Sequence, residues 1–103
     1  MERIIRWSPE AIEDLSAIAE FIARDSGSYA RSVVSRLLST ARSLPERPFL
    51  GRIVPETSQE DIRERFVFNY RLIYRVREDH ILVVAIIHGS RHVSTVIDKL
   101  SPS

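Results

Sequence analysis

The stretch NYRLIYRVR, residues 69–77, decides the fold. Side chains alternate across a strand, so Tyr70, Leu72, Tyr74 and Val76 share one face, while Arg71, Ile73, Arg75 and Arg77 share the other. One face reads as core and the other carries three guanidinium groups. Asn69 before the run and Glu78-Asp79 after it mark tight reversals, so this is the middle of three consecutive strands.

The strand before it, IRERFVF at 62–68, sets Ile62, Glu64, Phe66 and Phe68 against Arg63, Arg65 and Val67. If Phe66 and Phe68 join Tyr70, Leu72 and Tyr74 on the core side, the opposite face presents Arg63, Arg65, Arg71, Arg75 and Arg77 together. Such a face would be strongly positive, although long arginine stems also cover apolar surface on ordinary solvent-facing sheets. The strand after it, HILVVAIIH at 80–88, is apolar on both faces, the pattern of a strand covered on two sides.

Further out, RIIRW at 3–7 is short and β-branched and reads as a first strand. Ser8 is placed as an N-cap with Pro9 at the first helical position, and Glu10, Glu13 and Asp14 follow where the helix dipole favours acids. The stripe Ala11, Ile12, Leu15, Ile18, Ala19 and Ile22 predicts a helix over about 9–25, ending where Gly27 can adopt the left-handed C-terminal position. A second helix, capped by Ser28, carries Ala30, Val33, Val34, Leu37, Leu38, Ala41 and Leu44 until Pro45 and Pro48 stop it. So short a connection makes the two helices an antiparallel hairpin. Residues 45–59 form the long connection, with Phe49, Leu50, Ile53 and Val54 as its anchors, and 89–103 read as a turn and a short terminal helix. The order β, α, α, β, β, β predicts an α+β fold, a helical hairpin packed on a mostly antiparallel sheet.

Composition narrows the function classes. At 103 residues and 44% hydrophobic content, residues 1–103 are one domain with a single core. The absence of cysteine removes disulfides, thiolate metal sites and cysteine nucleophiles, and fits a reducing cytoplasm. The longest apolar run, ILVVAII at 81–87, is too short to span a bilayer, and MERIIRWSPE has no signal-peptide core, so a cytoplasmic protein without a membrane role is expected. The net charge of +1 divides into −3 over residues 1–30 and +4 over 31–103. Of the fifteen basic residues, fourteen are Arg and only Lys99 is Lys, a bias that suits forked recognition of carboxylate or phosphate, or equally a GC-rich genome. His80, His88 and His92 do not form a metal-ligand pattern, and no cofactor is expected. His88 ends a buried strand with the parity of Leu82, Val84 and Ile86, and is a candidate general acid or base.

Taken in order, WSPEAIEDLSAIAEFI (7–22), Pro48 to Gly51, RERFVFNYRLIYRV (63–76) and IIHGSR (86–91) resemble the ParE/RelE superfamily of bacterial type II toxins, some of them known as plasmid stabilisation proteins. The resemblance covers nearly the whole chain and implies the same helical hairpin on an antiparallel sheet. It also implies growth inhibition by one of two activities. RelE-like members are ribosome-dependent endoribonucleases acting on mRNA. By that likeness Arg71 and Arg91 would stabilise the developing phosphorane, with Arg63 and Arg65 as further phosphate contacts. The expected proton-transfer residue falls on Ile97, so His88 or His92 would have to serve. ParE-like members poison DNA gyrase and require no nuclease constellation; YRLIYRV, IIHGSR and SPEAIEDL look closer to that branch, and the gyrase-directed reading is favoured. Either activity implies a cognate antitoxin that brings acids to the surface carrying Arg63, Arg65, Arg71, Arg75, Arg77, Arg91 and His92, in a toxin homodimer or a toxin–antitoxin hetero-oligomer. An inert relative, its arginines purely structural, is the third reading.

Overall fold

The computed structural model describes residues 3–89. Strand β1 (Ile4–Trp7) leads into helix α1 (Pro9–Ala23) and helix α2 (Gly27–Ser43), followed by β2 (Arg52–Ile53), β3 (Ile62–Val67), β4 (Tyr70–Val76) and β5 (His80–His88). The five strands lie in the order β1-β5-β4-β3-β2; β1 runs parallel to β5 and every other pair is antiparallel. This is the predicted α+β architecture with one added strand, β2. Two residues between a glycine and a proline-bounded loop give no periodicity to read.

Both helices begin on a serine. The Ser8 hydroxyl accepts a hydrogen bond from Ala11 N–H at 3.0 Å and donates to the Val84 carbonyl at 2.9 Å, tying the start of α1 to β5. Ser26, rather than Ser28, caps α2 by accepting from Tyr29 N–H at 3.1 Å. Gly27 is the first residue of α2, and α1 ends at Arg24 in ordinary helical geometry, so the left-handed glycine stop is not used.

The main core lies between the hairpin and one sheet face, where Val33, Leu37 and Leu44 of the α2 region meet Leu72, Tyr74, Ile81 and Val83. A smaller cluster of Val54, Ile62 and Ile73, flanked by Val84 and Ile87, lies on the opposite face. The segment after β2 therefore covers part of the face expected to be open, which explains why β5 is apolar on both sides. The predicted terminal helix lies outside the described residues.

Two local features change the expected facing of side chains. Val67 pairs directly with Tyr70, so the β3–β4 turn holds only Phe68 and Asn69, and Phe68 takes a left-handed backbone with φ of 53°. That conformation costs a bulky residue about 1–3 kcal/mol. Removing Phe68 from the strand shifts the register by one and places Arg63, Arg65 and Val67 on the helix side with Tyr74, Leu72 and Tyr70; Ile62, Glu64 and Phe66 turn to the other side. The second feature is a register shift between Ile73 and Tyr74 against β5. Ile81 and Val83 face the helices before it, Ile86 after it, and His88 stands opposite Tyr70. His88 does not share a face with Leu82 and Val84.

The long connection is held by Tyr74 rather than by Phe49 and Leu50, which are exposed. Tyr74 is fully buried, and its hydroxyl donates to the Pro48 carbonyl at 2.8 Å while accepting from Gly51 N–H at 3.2 Å. Gly51 is required there because a Cβ would lie 2.5 Å from the Glu64 carbonyl oxygen. Among the described residues, no helix is long and apolar enough to cross a membrane.

Candidate functional site

The face of β3 and β4 away from the helices carries an ionic cluster instead of an array of bare arginines. Arg71 is 5% exposed, and all three of its guanidinium nitrogens donate to carboxylates. Nε bonds Glu64 Oε1 at 2.6 Å, while Nη1 and Nη2 bond the two oxygens of Glu56 at 3.2 and 3.0 Å. Glu64, fully buried, also receives Arg52 from β2, so guanidinium and carboxylate alternate from Arg52 through Glu64 and Arg71 to Glu56. Beside this chain, Arg75 Nε bonds Asp61 Oδ2 at 2.8 Å.

The electrostatics follow from those contacts. The hydrogen bond and charge of Arg71 hold the Glu56 carboxyl below its ordinary range against a modest burial penalty. Glu56, with Glu64, in turn raises Arg71 further above its already high value. Burial pushes Asp61 upward, but the hydrogen bond and charge of Arg75 prevail and leave it lowered. Burial likewise raises Tyr74, only partly offset by the Gly51 hydrogen bond and the nearby Arg65 and Arg63 charges.

The sequence-predicted arginines are thus dispersed. Arg71 and Arg75 share the open face and are paired. Arg63 lies on the helix side and clamps the long connection, donating to the carbonyls of Glu60, Phe49 and Gly51 and stacking over the Phe49 ring at 5.0 Å. Arg65, also on that side, makes no hydrogen bond or ion pair among the described residues. Arg77 is exposed beyond the end of β4, and its carbonyl accepts from Arg3 Nε at 2.6 Å. The five-arginine face is therefore corrected by the two-residue turn at Phe68. His88 is exposed at the end of β5, edge-on to Tyr70 with ring centroids 5.6 Å apart. Arg91, His92 and Ile97 lie outside the described residues.

Glu56, Asp61 and Arg52 gave no signal in sequence, since a loop acid shows its partner only once the loop is folded. Glu64 did give one, as a lone acid alternating with the apolar positions of β3.

A groove opens beside this end of β5. Beyond Trp7 no strand among the described residues pairs with the β5 edge; the Asp14 carboxylate accepts from Ile86 N–H at 3.0 Å there. Ile18, Phe21, Tyr70, Ile87 and His88 line the groove, and Phe21 is 64% exposed.

Residues 5–93 match the family described as the ParE toxin of the type II toxin-antitoxin system, parDE. The chain belongs to the ParE toxin family. It is a type II toxin-antitoxin toxin of the ParE/RelE superfamily. It is 33% identical over 85 residues to Toxin RelE2 of Caulobacter vibrioides, spanning 82% of this chain and 93% of that protein. The fold matches the chromosomal ParDE system of P. aeruginosa with a TM-score of 0.71 at 19% identity, over 84% of this toxin and 96% of that chain. It also matches a mutant of E. coli toxin RelE in the free state with a TM-score of 0.66 at 16% identity, over 95% and 93% of the two chains. Identities this low carry the toxin fold and not the choice of target.

Proposed function

We propose that this toxin inhibits DNA gyrase and is neutralised by a cognate antitoxin in the cytoplasm. The observation that carries this reading is the state of Arg71. A nuclease would need that guanidinium at the scissile phosphate, yet its Nε, Nη1 and Nη2 each donate to Glu64 or Glu56 and its side chain is only 6% exposed. Ile97 at the position expected to transfer a proton supports the same reading. On it, the toxin performs no bond chemistry of its own; it arrests an enzyme that breaks and rejoins DNA.

The antitoxin segment would occupy the groove between α1 and β5, where exposed Phe21 and the end of β5, unpaired among the described residues, offer an apolar anchor and a strand edge. The neighbouring solved structures include E. coli RelE bound to an antitoxin peptide, which supports a partner of this kind. The relative named RelE2 favours the alternative, a ribosome-dependent mRNA endoribonuclease.

Two reactions separate the readings. With purified gyrase and supercoiled DNA, the toxin should trap cleaved DNA on detergent addition; in a cell-free translation reaction, mRNA mapped by primer extension should stay intact. Codon-phased cuts with no trapped DNA would overturn the gyrase reading in favour of the nuclease. Neither effect, from a protein that fails to slow growth, would leave an inert relative.

A further inference from the structure

Away from the ionic cluster, the exposed side of α2 has its own chemistry. No acid occurs between Gly27 and Ser43, whereas Arg31, Arg36 and Arg42 do, and α1 shows the reverse, with Glu10, Glu13, Asp14 and Glu20 and no base. Opposite charge has been segregated onto two adjacent helices. Neither Arg31 nor Arg36 has a carboxylate partner among the described residues.

The β3–β4 turn reaches this surface. Phe68 is 50% exposed, packs edge-on to the half-exposed Tyr29 at 6.0 Å, and lies under the Arg36 guanidinium at 5.9 Å. Phe68 and Arg36, with Arg31, Ser32 and Ser35, line a shallow depression to which the described residues contribute four serine hydroxyls and no carboxylate. The turn position favours glycine, and the chain instead holds a phenyl ring there in a left-handed backbone, half in water. An exposed ring at a strained position, flanked by hydroxyls and by guanidiniums without a carboxylate partner among the described residues, is suited to a partner that presents a flat π surface and phosphates together.

We propose that the depression between α2 and the Phe68 turn binds single-stranded DNA, with Phe68 stacking on a base and Arg31 and Arg36 holding the flanking phosphates. An unpaired base is required because a duplex hides its faces, and guanidinium with serine hydroxyl is the common donor set for backbone phosphate. The choice of DNA rests on the gyrase reading, in which the target supplies opened DNA.

The test is fluorescence anisotropy of the full chain with a labelled 20-mer of dT, beside a 20-mer of U and a 20-base-pair duplex, at several salt concentrations. Binding to the dT strand is expected with a dissociation constant of about 10⁻⁴ to 10⁻⁶ M. Phe68→Gly relieves the backbone and should leave Tm equal or higher while weakening binding at least about fivefold. Arg31→Gln and Arg36→Gln should each lower the salt slope by about 0.7. A Tm that falls in Phe68→Gly, or dT affinity that this variant leaves unchanged, overturns the stacking site. Tighter binding of U assigns the surface to RNA, and tighter binding of the duplex removes the base-stacking role; either result overturns the proposal. The gyrase assay separates the two readings. Binding of dT without trapped cleavage complexes defeats only the target, and trapped complexes without dT binding defeat only this surface.

Discussion

Arg71 and Glu56 are joined by two hydrogen bonds, of 3.0 and 3.2 Å, across fifteen residues of chain, and this pair closes the loop after β2 over the sheet. The same guanidinium reaches Glu64 below, so one arginine links loop, β3 and β4. The two carboxylates differ in burial, and that difference predicts different costs.

Glu64 has no exposed side-chain surface and Arg71 has 6%, so removing Glu64 strands a charge in the interior. Glu64→Ala should lose about 3–5 kcal/mol in denaturant unfolding. Glu56 is 38% exposed, and its contribution to stability is screened by water. Glu56→Ala should cost under about 1 kcal/mol. Equal losses in the two variants would show that the loop, and not burial, sets the energetics of the cluster.

Glu56 and Asp61 are both held below their ordinary values of 4.5 and 3.8 by paired arginines. A carboxyl depressed in the folded state contributes stability above its unfolded pKa, and that contribution is lost as pH falls through the folded pKa. Stability should therefore be flat from neutral pH to about pH 5 and then decline through the acid range. The double variant Glu56→Gln, Asp61→Asn should decline less steeply, as read from urea midpoints at each pH.

Tyr74 carries both polar contacts of the long connection, and its hydroxyl is buried. Tyr74→Phe keeps the ring but leaves Gly51 N–H and the Pro48 carbonyl without their partner, at about 1–3 kcal/mol. Hydrogen exchange should show the Gly51 amide losing protection before the β4 amides do. Gly51→Ala should be worse than a surface change of that size, because its methyl meets the Glu64 backbone at 2.5 Å.

Local chemistry made much of this fold legible. Ser8-Pro9 announced α1, the alternation of 70–76 announced β4, and the doubly apolar run 80–88 announced a covered strand, all within a residue or two of their observed bounds. What failed was parity across turns. One residue, Phe68, left its strand for a conformation that sequence assigns to glycine or asparagine, and every side chain of β3 changed face. The register shift beside Ile73 did the same to His88. Pairing of Arg71 with Glu56 is a tertiary event that no spacing encodes, so a candidate site residue could not be told from a fold residue. Arg91 and His92, two further candidates, lie outside the described residues.

Whether Arg71 serves the fold or a reaction can be decided by replacing the cluster and not breaking it. Buried ion pairs can often be exchanged for apolar residues of similar volume with little loss of stability, whereas deleting one partner is damaging. Arg71→Met combined with Glu64→Leu and Glu56→Gln should stay folded, with unfolding free energy within about 1–2 kcal/mol of the parent, since Arg52 is exposed enough to turn to water. On the gyrase reading this variant still slows growth in a host lacking the antitoxin and still traps cleaved DNA. Arg71→Ala alone should lose both activities together with its folding transition, which a thermal melt would reveal. A triple variant that melts normally but no longer inhibits growth would return Arg71 to the site, and with it the nuclease reading.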